Sequence, residues 1–555
     1  MNLLLLILLA PAVATGVLFC IPGSNARAVR GVATVATTIV LIAALLLALG
    51  YADADVGRVA NAGTSAEHVY KHTLDVDWVP SLGLGFRLGV DGIGVAMVLL
   101  TALIIFAAVI VSYTVEKRVK EYYINLMALV TGVFGVFVSL DLFFYYFFYE
   151  LAVIPMFLLI GIWGSTTRTV DQQYATMKLV LMLSTGAVLA LVGLLWLYTK
   201  GGTFDMVALE GLQLSVRDQM VWFPVVFLGF ASLIPLWPLH SWSPAGHAAA
   251  PAAVSMLHAG VLMKLGAFGV LRVAMTYMPD AAAVYLPWVG LLCCFNIVYG
   301  ALVAISHKDL KLIIGYSSSS HMGYVLLGLA SVTMAGFSGA VFLMFAHGIM
   351  TALAFSLIGW FYDQTHTRMV GDLGGLMKVM PFAGFCFVVA AMASAGLPGF
   401  ANFVSELLVI IGAWQSHSLL TRIPAVLAVW GLVLTGVYLL RAVKDVWYGD
   451  LPDRWKDLKD ATRPVQKLPY VLLIAVLLYF GFRPQPMLDL VEDGVRPILA
   501  RIEAASSPQG SATASQAPGT AGAGGHADGP AEDGGHAGGG GHGAAHEGHP
   551  DEGGR

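Results

Sequence analysis

The chain has 555 residues, of which 58% are hydrophobic and only 12% are charged, and its formal net charge is −4. Soluble domains carry about 25% charged residues, so this composition excludes an ordinary soluble protein and predicts a polytopic membrane protein. The sequence has no glycine-rich phosphate-binding loop, and its four cysteines lack CxxC spacing. We therefore expect no nucleotide, metal cluster or nucleic acid to bind this chain.

Runs of about 20 apolar residues recur along the chain and predict about fourteen transmembrane helices in an all-α fold. The predicted spans are residues 2–21, 31–50, 90–112, 122–140, 142–163, 176–198, 221–239, 250–273, 284–305, 311–330, 335–361, 380–415, 423–440 and 468–489. The first run lacks a basic segment before it, so we interpret it as a span and not as a signal peptide.

The seventh and twelfth spans are interrupted. Pro235, Pro238 and Pro244 break the seventh, because proline removes a backbone donor and clashes with the preceding turn. The Ala-Gly-Leu-Pro-Gly segment from Ala395 to Gly399 breaks the twelfth. Irregular backbone is tolerated in a membrane only beside protein or a water-filled cavity. Paired breaks in two halves of a chain therefore indicate two inverted repeats with a site near the midplane.

These patterns predict five regions. They are the N-terminal transmembrane helices (1–112), a first repeat (113–279), a second repeat (280–449), the last transmembrane helix with its flanks (450–504) and a Gly/His-rich tail (505–555). The tail has too few apolar residues to bury a core, and we predict that it is disordered. It is either a solvated tail without a fixed role or a weak metal-binding segment that uses His526, His536, His542, His546 and His549.

The basic residues predict the orientation. When the loops are taken alternately, one side collects 18 of the 30 Lys and Arg residues, and Lys264 is left inside a span. Loops rich in Lys and Arg stay in the cytoplasm, so we expect both termini on the periplasmic side of a bacterial inner membrane.

Two charged residues lie in the middle of predicted spans. Glu150 is nine residues beyond Asp141, or about 13 Å along a helix, and Lys264 is surrounded by the apolar sequence VLMKLGAFGV. A charged side chain at the bilayer centre costs roughly 2.5–3.5 kcal/mol even on a lenient scale. Glu150 is a candidate proton acceptor or a structural hydrogen-bonding carboxylate. Lys264 must find a counter-charge or give up its proton, which makes it a candidate proton carrier.

Further candidates lie near the breaks. His321 and His347 occupy neighbouring spans, and each is either a proton relay or a hydrogen-bonding group between helices. Glu406 follows the second break by seven residues and is a candidate exit carboxylate. His240 belongs to the first break, in a stretch that also carries two further histidines. By contrast, the Lys308 and Lys311 pair is expected to be an interfacial loop feature.

Six segments carry a resemblance to a known family. They are FFYELAVIPMFLLIGIWG, PLHSWSPAGHAAAP, HAGVLMKLGAFGVLR, KDLKLIIGYSSSSHMGYVLLG, FAHGIMTALAFSLIG and AGLPGFANFVSELL. In this order, over roughly residues 80–450, they resemble the antiporter-like membrane subunits of respiratory complex I. The resemblance implies a proton path through Glu150, Lys264, His321, His347 and Glu406. It also implies L-type and N-type partner chains in the lipid bilayer, with NADH, FMN, iron–sulfur clusters and quinone held elsewhere in the complex.

One departure from the family pattern concerns the first half. The family usually has a lysine a few residues before the Pro-Leu-His segment, and here this position is Leu233. Glu150 is therefore expected to lack its usual cationic partner, unless His240 or Lys264 replaces it. Three alternatives to a proton-translocating subunit remain: a subunit of a multi-subunit Na⁺/H⁺ antiporter, a subunit of a membrane-bound hydrogenase, and a non-pumping spacer of the membrane arm.

Overall fold

A computed structural model of the chain describes residues 2–60 and 67–506. The predicted tail beyond residue 506, with its five histidines, lies outside the described residues. The helices are α1 (Leu3–Cys20), α2 (Ala26–Gly50), α3 (Gly92–Val111), α4 (Val119–Val138), α5 (Leu142–Trp163), α6 (Gln172–Gly201), α7 (Met206–Leu209), α8 (Val216–Leu233), α9 (Trp242–Ala249), α10 (Ala252–Leu257), α11 (Met263–Gly269), α12 (Pro279–Cys294), α13 (Gly300–Ser306), α14 (Leu310–Ala330), α15 (Met334–Thr365), α16 (Pro381–Ser394), α17 (Ala401–Gln415), α18 (Leu419–Trp447), α19 (Pro464–Phe482) and α20 (Gln485–Ser506).

The helical membrane architecture predicted from the sequence is confirmed. Among the described residues, eleven helical segments are long and apolar enough to cross a membrane. The predicted seventh span corresponds to α8, the tenth to α14, and the interrupted twelfth to the shorter pair α16 and α17. The helices α8, α14, α16 and α17 are not among the eleven apolar segments, so the total of fourteen transmembrane helices stays a prediction. The predicted last span, 468–489, is divided between α19 and α20.

Both interruptions occur where proline and glycine predicted them. The helix α8 ends at Leu233, and eight irregular residues separate it from α9. In the second break, Gly396 and Gly399 have φ angles of +68° and +101°, in the left-handed region that glycine adopts without a steric penalty.

Aspartates begin several of the spans. Asp91, Asp141, Asp171 and Asp309 each accept a hydrogen bond from a backbone N–H in the first turn of α3, α5, α6 and α14. These N–H groups have no partner within the helix, and a capping side chain satisfies them. The caps mark the ends of the buried segments.

A three-stranded antiparallel sheet between α2 and α3 was not predicted. Its strands are β1 (Val56–Ala60), β2 (His68–Val79) and β3 (Leu84–Val90), in the order β1-β2-β3. The amide of Asn2 donates to the carbonyls of His72 and Thr73 at 2.8 and 3.3 Å, which places the beginning of α1 at this sheet. At the other end of α1, the Lys120 ammonium donates to the Phe19 carbonyl at 2.8 Å. The sheet and the beginning of α4, which contains Lys120, therefore lie on opposite sides of the protein, here called the sheet side and the basic side.

The most enclosed spans are the segment Ala252–Met275 and the helix α15. Their most apolar 18-residue windows are 100% buried, whereas that of α19 is 22% buried. These two central spans carry Lys264 and His347, so both side chains lie away from the lipid-facing surface.

Candidate functional site

Four of the six predicted residues meet in the centre of the protein. The Lys264 ammonium, at 0% exposure, donates to the Ala259 carbonyl at 2.5 Å and to Nδ1 of His347 at 2.8 Å. The ring of His347 lies 5.1 Å from that of His321, measured between centroids. Nε2 of His321 lies 3.3 Å from the Glu406 carboxylate. The four side chains form one continuous buried row, here called the central chain.

The local backbone positions the lysine. A π-helical turn, His258–Leu262, ends immediately before α11, and a second one, Val270–Met275, follows it. Lys264 lies in α11 and reaches back to the Ala259 carbonyl in the first of these turns. π-Turns within α-helices are rare and are frequent at functional sites, because they reorient side chains that an α-helix would place elsewhere.

His321 has an acceptor at each ring nitrogen. Nδ1 lies 2.8 Å from the Ser317 carbonyl, and Nε2 lies 3.2 Å from the Ser394 carbonyl and 3.3 Å from Glu406. A neutral imidazole can donate from only one nitrogen, whereas the imidazolium ion donates from both. The geometry therefore fits a protonated His321 beside an ionised Glu406.

The second break forms the surroundings of Glu406. A Cβ atom at Gly396 would lie 2.6 Å from Oε2 of Glu406, so only glycine leaves room for this carboxylate. The side chains of Asn402 and Ser394 are buried, and their polar atoms have no hydrogen-bond partner among the described residues. Buried polar atoms of this kind are usually satisfied by ordered water. The break thus provides a polar space for water next to the end of the central chain.

Glu150 lies outside the central chain. It is half-buried on a face of α5 whose other members, Phe143, Phe147 and Ile154, are 37%, 49% and 56% exposed. Its carboxyl group interacts with the Tyr146 hydroxyl, and no basic side chain of the described residues is close enough to interact with it. Neither of the expected substitutes for the missing lysine therefore reaches it, and the role of Glu150 stays a prediction.

His240 also lies apart from Lys264. Its ring packs against Tyr299 and Tyr316, with centroid distances of 5.4 and 6.5 Å. The structure does not join it to the central chain, and its assignment to the proton path stays a prediction.

Three buried basic residues near the first break received no individual role from the sequence, although His247 and His258 were recognised as part of the broken segment. His247 and His258 are fully buried, with ring centroids only 4.0 Å apart. Lys311 was expected at the interface, and this was wrong: it is 2% exposed and donates to the Ala250 carbonyl at 2.5 Å. Lys308 is exposed, as expected. The signal was available, because Asp309 caps α14, which begins at Leu310, and Lys311 is therefore the second residue of the helix.

A second buried cluster, on the sheet side, was also missed. Arg272, at the end of the span Ala252–Met275, forms an ion pair with Asp91, and Arg501 of α20 forms one with Glu210. His68 lies between the two carboxylates, 3.2 Å from Asp91 and 3.1 Å from Glu210. We call these five residues the sheet-side cluster. These residues are far apart along the chain, so no local sequence pattern could predict that they form a cluster.

The charges of this cluster shift its pKa values. Burial lowers the pKa of His68, but the Glu210 and Asp91 carboxylates outweigh this effect and raise the pKa above its ordinary value of 6.5. Burial raises the pKa of Glu210, but His68 and Arg501 outweigh this effect and lower it. The protonated histidine and the ionised carboxylate therefore stabilise each other.

This arrangement predicts a pH dependence of stability. A raised pKa in the folded state contributes stability at low pH, and that stability is lost as the pH rises through the folded-state pKa of His68. Likewise, the contribution of Glu210 is lost as the pH falls through its own lowered pKa. We expect the unfolding temperature of the detergent-purified protein to fall above neutral pH, and the variant His68→Gln to flatten this alkaline decline. The control is His417→Gln, at an exposed position; an identical decline in His68→Gln and the parent would contradict the prediction.

The chain is similar to the members of one family of transmembrane proteins. The model of the family described as NADH:quinone oxidoreductase/Mrp antiporter, transmembrane, matches residues 139–435. The chain is 35% identical over 531 residues to NADH-quinone oxidoreductase subunit M of Rhodobacter capsulatus, covering 92% of this chain and 99% of that protein. It is 38% identical over 381 residues to NAD(P)H-quinone oxidoreductase chain 4 2 of Microcystis aeruginosa, covering 68% of each.

Solved structures show the same fold. A chain of respiratory complex I from Thermus thermophilus with bound NADH superposes with a TM-score of 0.78 at 25% identity, covering 89% of this chain and 99% of that chain. A chain of the Mrp complex from Dietzia sp. superposes with a TM-score of 0.77 at 20% identity, covering 91% of this chain and 100% of that chain. The second likeness is evidence for the fold alone.

Proposed function

Because the chain belongs to the NADH:quinone oxidoreductase/Mrp antiporter family of transmembrane proteins, we propose that it is a proton-translocating membrane-arm subunit of NADH-quinone oxidoreductase. The relative from Rhodobacter capsulatus is named subunit M, and we assign this chain to the same type. NADH, FMN, iron–sulfur clusters and quinone belong in this proposal to other subunits. The L-type and N-type chains are its neighbours in the bacterial inner membrane, and the basic side faces the cytoplasm.

The observation that carries the proposal is the central chain. Lys264 can pass a proton to Nδ1 of His347 over 2.8 Å, and His347 can release one from its other nitrogen. His321 is the next group, and its Nε2 is in contact with the Glu406 carboxylate. Protons then leave through the hydrated second break.

Electrostatics makes this transfer stepwise. Lys264 and His321 lie on either side of His347, so that a proton on one disfavours a proton on the other. A change of charge or conformation in the rest of the complex can shift the proton along the row. This provides the coupling to electron transfer, although no electron passes through this chain.

A spacer without pumping is the second candidate. The specific observation in its favour is that the first half lacks a cation near Glu150 among the described residues and has Leu233 at the usual lysine position. We favour the pump because the central chain, from Lys264 to Glu406, is a complete row of titratable groups.

A pair of glutamate variants tests the proposal. We expect Glu406→Gln to lower the number of protons translocated per NADH oxidised, because the amide cannot accept the proton of His321. Glu150→Gln should have a smaller effect, because Glu150 has no basic partner within the described chain. Both ratios are measured with the whole complex reconstituted into vesicles, by a pH-sensitive dye and NADH absorbance. An unchanged ratio in Glu406→Gln would support the spacer and remove the pump.

A further inference from the structure

A polar cavity of about 300 Å³ opens on the basic side, between α3, α5, α10, α14 and α15. Its lining residues include Asp363, Lys311 and Tyr122. Asp363 is exposed, whereas Lys311 is almost completely buried. The cavity therefore joins an accessible carboxylate to a buried cation, and the two are close enough for their charges to interact.

Lys311 connects the cavity to the first broken helix. Its ammonium donates to the carbonyl of Ala250, the capping residue that follows α9. The hydroxyl of Ser255 donates to the carbonyls of both Ala250 and His247, so these residues share one end of the broken segment. Lys311 is also close enough to His247 for the two charges to interact.

The two histidines continue from this point toward Lys264. His247 and His258 lie with ring centroids 4.0 Å apart, and His258 is close enough to Lys264 for charge interaction. Neither nitrogen of His258 has a hydrogen-bond partner among the described residues, and Nδ1 of His247 also lacks one. Leaving a buried polar group unsatisfied destabilises a protein, so these nitrogens are sites for bridging water.

We propose that this cavity is the proton intake of the chain. Asp363 collects protons at its mouth, Lys311 transfers them at its floor, and the hydrated pair His247 and His258 delivers them to Lys264. This inference rests on the proposed proton-translocating function and assigns its entry side. It also gives a role to buried basic residues that the central chain does not include.

The test uses the whole complex in vesicles that expose the NADH-oxidising side. Asp363→Asn removes the carboxylate at the mouth. Independently, Ala252→Cys places a thiol on the cavity wall, where a membrane-impermeant sulfonated methanethiosulfonate can occlude it. This second variant is made in a Cys20→Ser background, because Cys20 is the exposed cysteine of the described chain. Gly23→Cys, at an exposed position on the same side, is the matched labelling control.

We expect Asp363→Asn and labelled Ala252→Cys to translocate as few protons per NADH as Lys264→Met does. Labelled Gly23→Cys should retain the parent ratio, and unlabelled Ala252→Cys should do so too. If Lys264→Met lowers the ratio while both cavity variants keep it, the intake assignment is overturned and the proposed function stands. If Lys264→Met also translocates the parent number of protons per NADH, both the intake assignment and the proposed function are overturned.

Discussion

Replacement of Lys264 by methionine is expected to stop proton transfer through this subunit while the protein stays folded. The methionine side chain has a similar length but cannot carry a proton. General acid–base groups contribute about 100-fold or more to proton-transfer rates, so the flux through this chain should fall by at least that factor. The measurement is the number of protons translocated per NADH by the reconstituted complex.

The contacts of Lys264 explain why stability should survive this change. Its partners are a carbonyl and a histidine ring, not a carboxylate. Removing the lysine therefore leaves no buried anion without a counter-charge, which is the usual reason why such substitutions unfold a protein. Lys308→Met, at an exposed position, is the control. A full proton ratio in a folded Lys264→Met complex would contradict the central role of this residue.

The second large effect concerns stability on the sheet side. Arg272→Met is expected to destabilise the protein by about 3–5 kcal/mol, because it breaks a buried ion pair and removes the guanidinium partner of the Asp91 carboxylate. The change should lower the unfolding temperature and the yield of assembled complex, and Arg272→Lys should recover part of the loss. Arg483→Met provides the control, since Arg483 is exposed. An unfolding temperature equal to that of the parent would show that the ion pair contributes little.

Some of this fold and site could be predicted from the sequence, because the membrane penalises certain residues. Proline and glycine revealed both breaks, since neither Pro235 nor Gly396 suits a continuous helix. The cost of a buried charge singled out Glu150 and Lys264, and the position of the second break singled out Glu406. Of these three, only Lys264 and Glu406 lie in the central chain. These rules act on each position alone, so they identify candidate residues without identifying their partners.

The remaining features depend on contacts between distant parts of the chain. Lys264 and His347 are 83 residues apart, and Arg501 and Glu210 are 291 residues apart. The pattern of residues along a single helix does not show which distant residue each side chain will contact. The sheet escaped prediction for another reason: β2 is only partly buried and lies in a polar segment between two strong membrane spans.

The two hydrogen-bonding contacts of His321 bear on how well the proposed path would prevent protons from leaking across the membrane. Both ring nitrogens are held by oxygen atoms from different helices, Ser317 on α14 and Ser394 on α16. In the proposed proton path, an imidazolium held at both nitrogens can accept a further proton only after it has released one that it holds. Under this proposal, the two carbonyls would oppose a free leak of protons down the transmembrane gradient when no electrons flow.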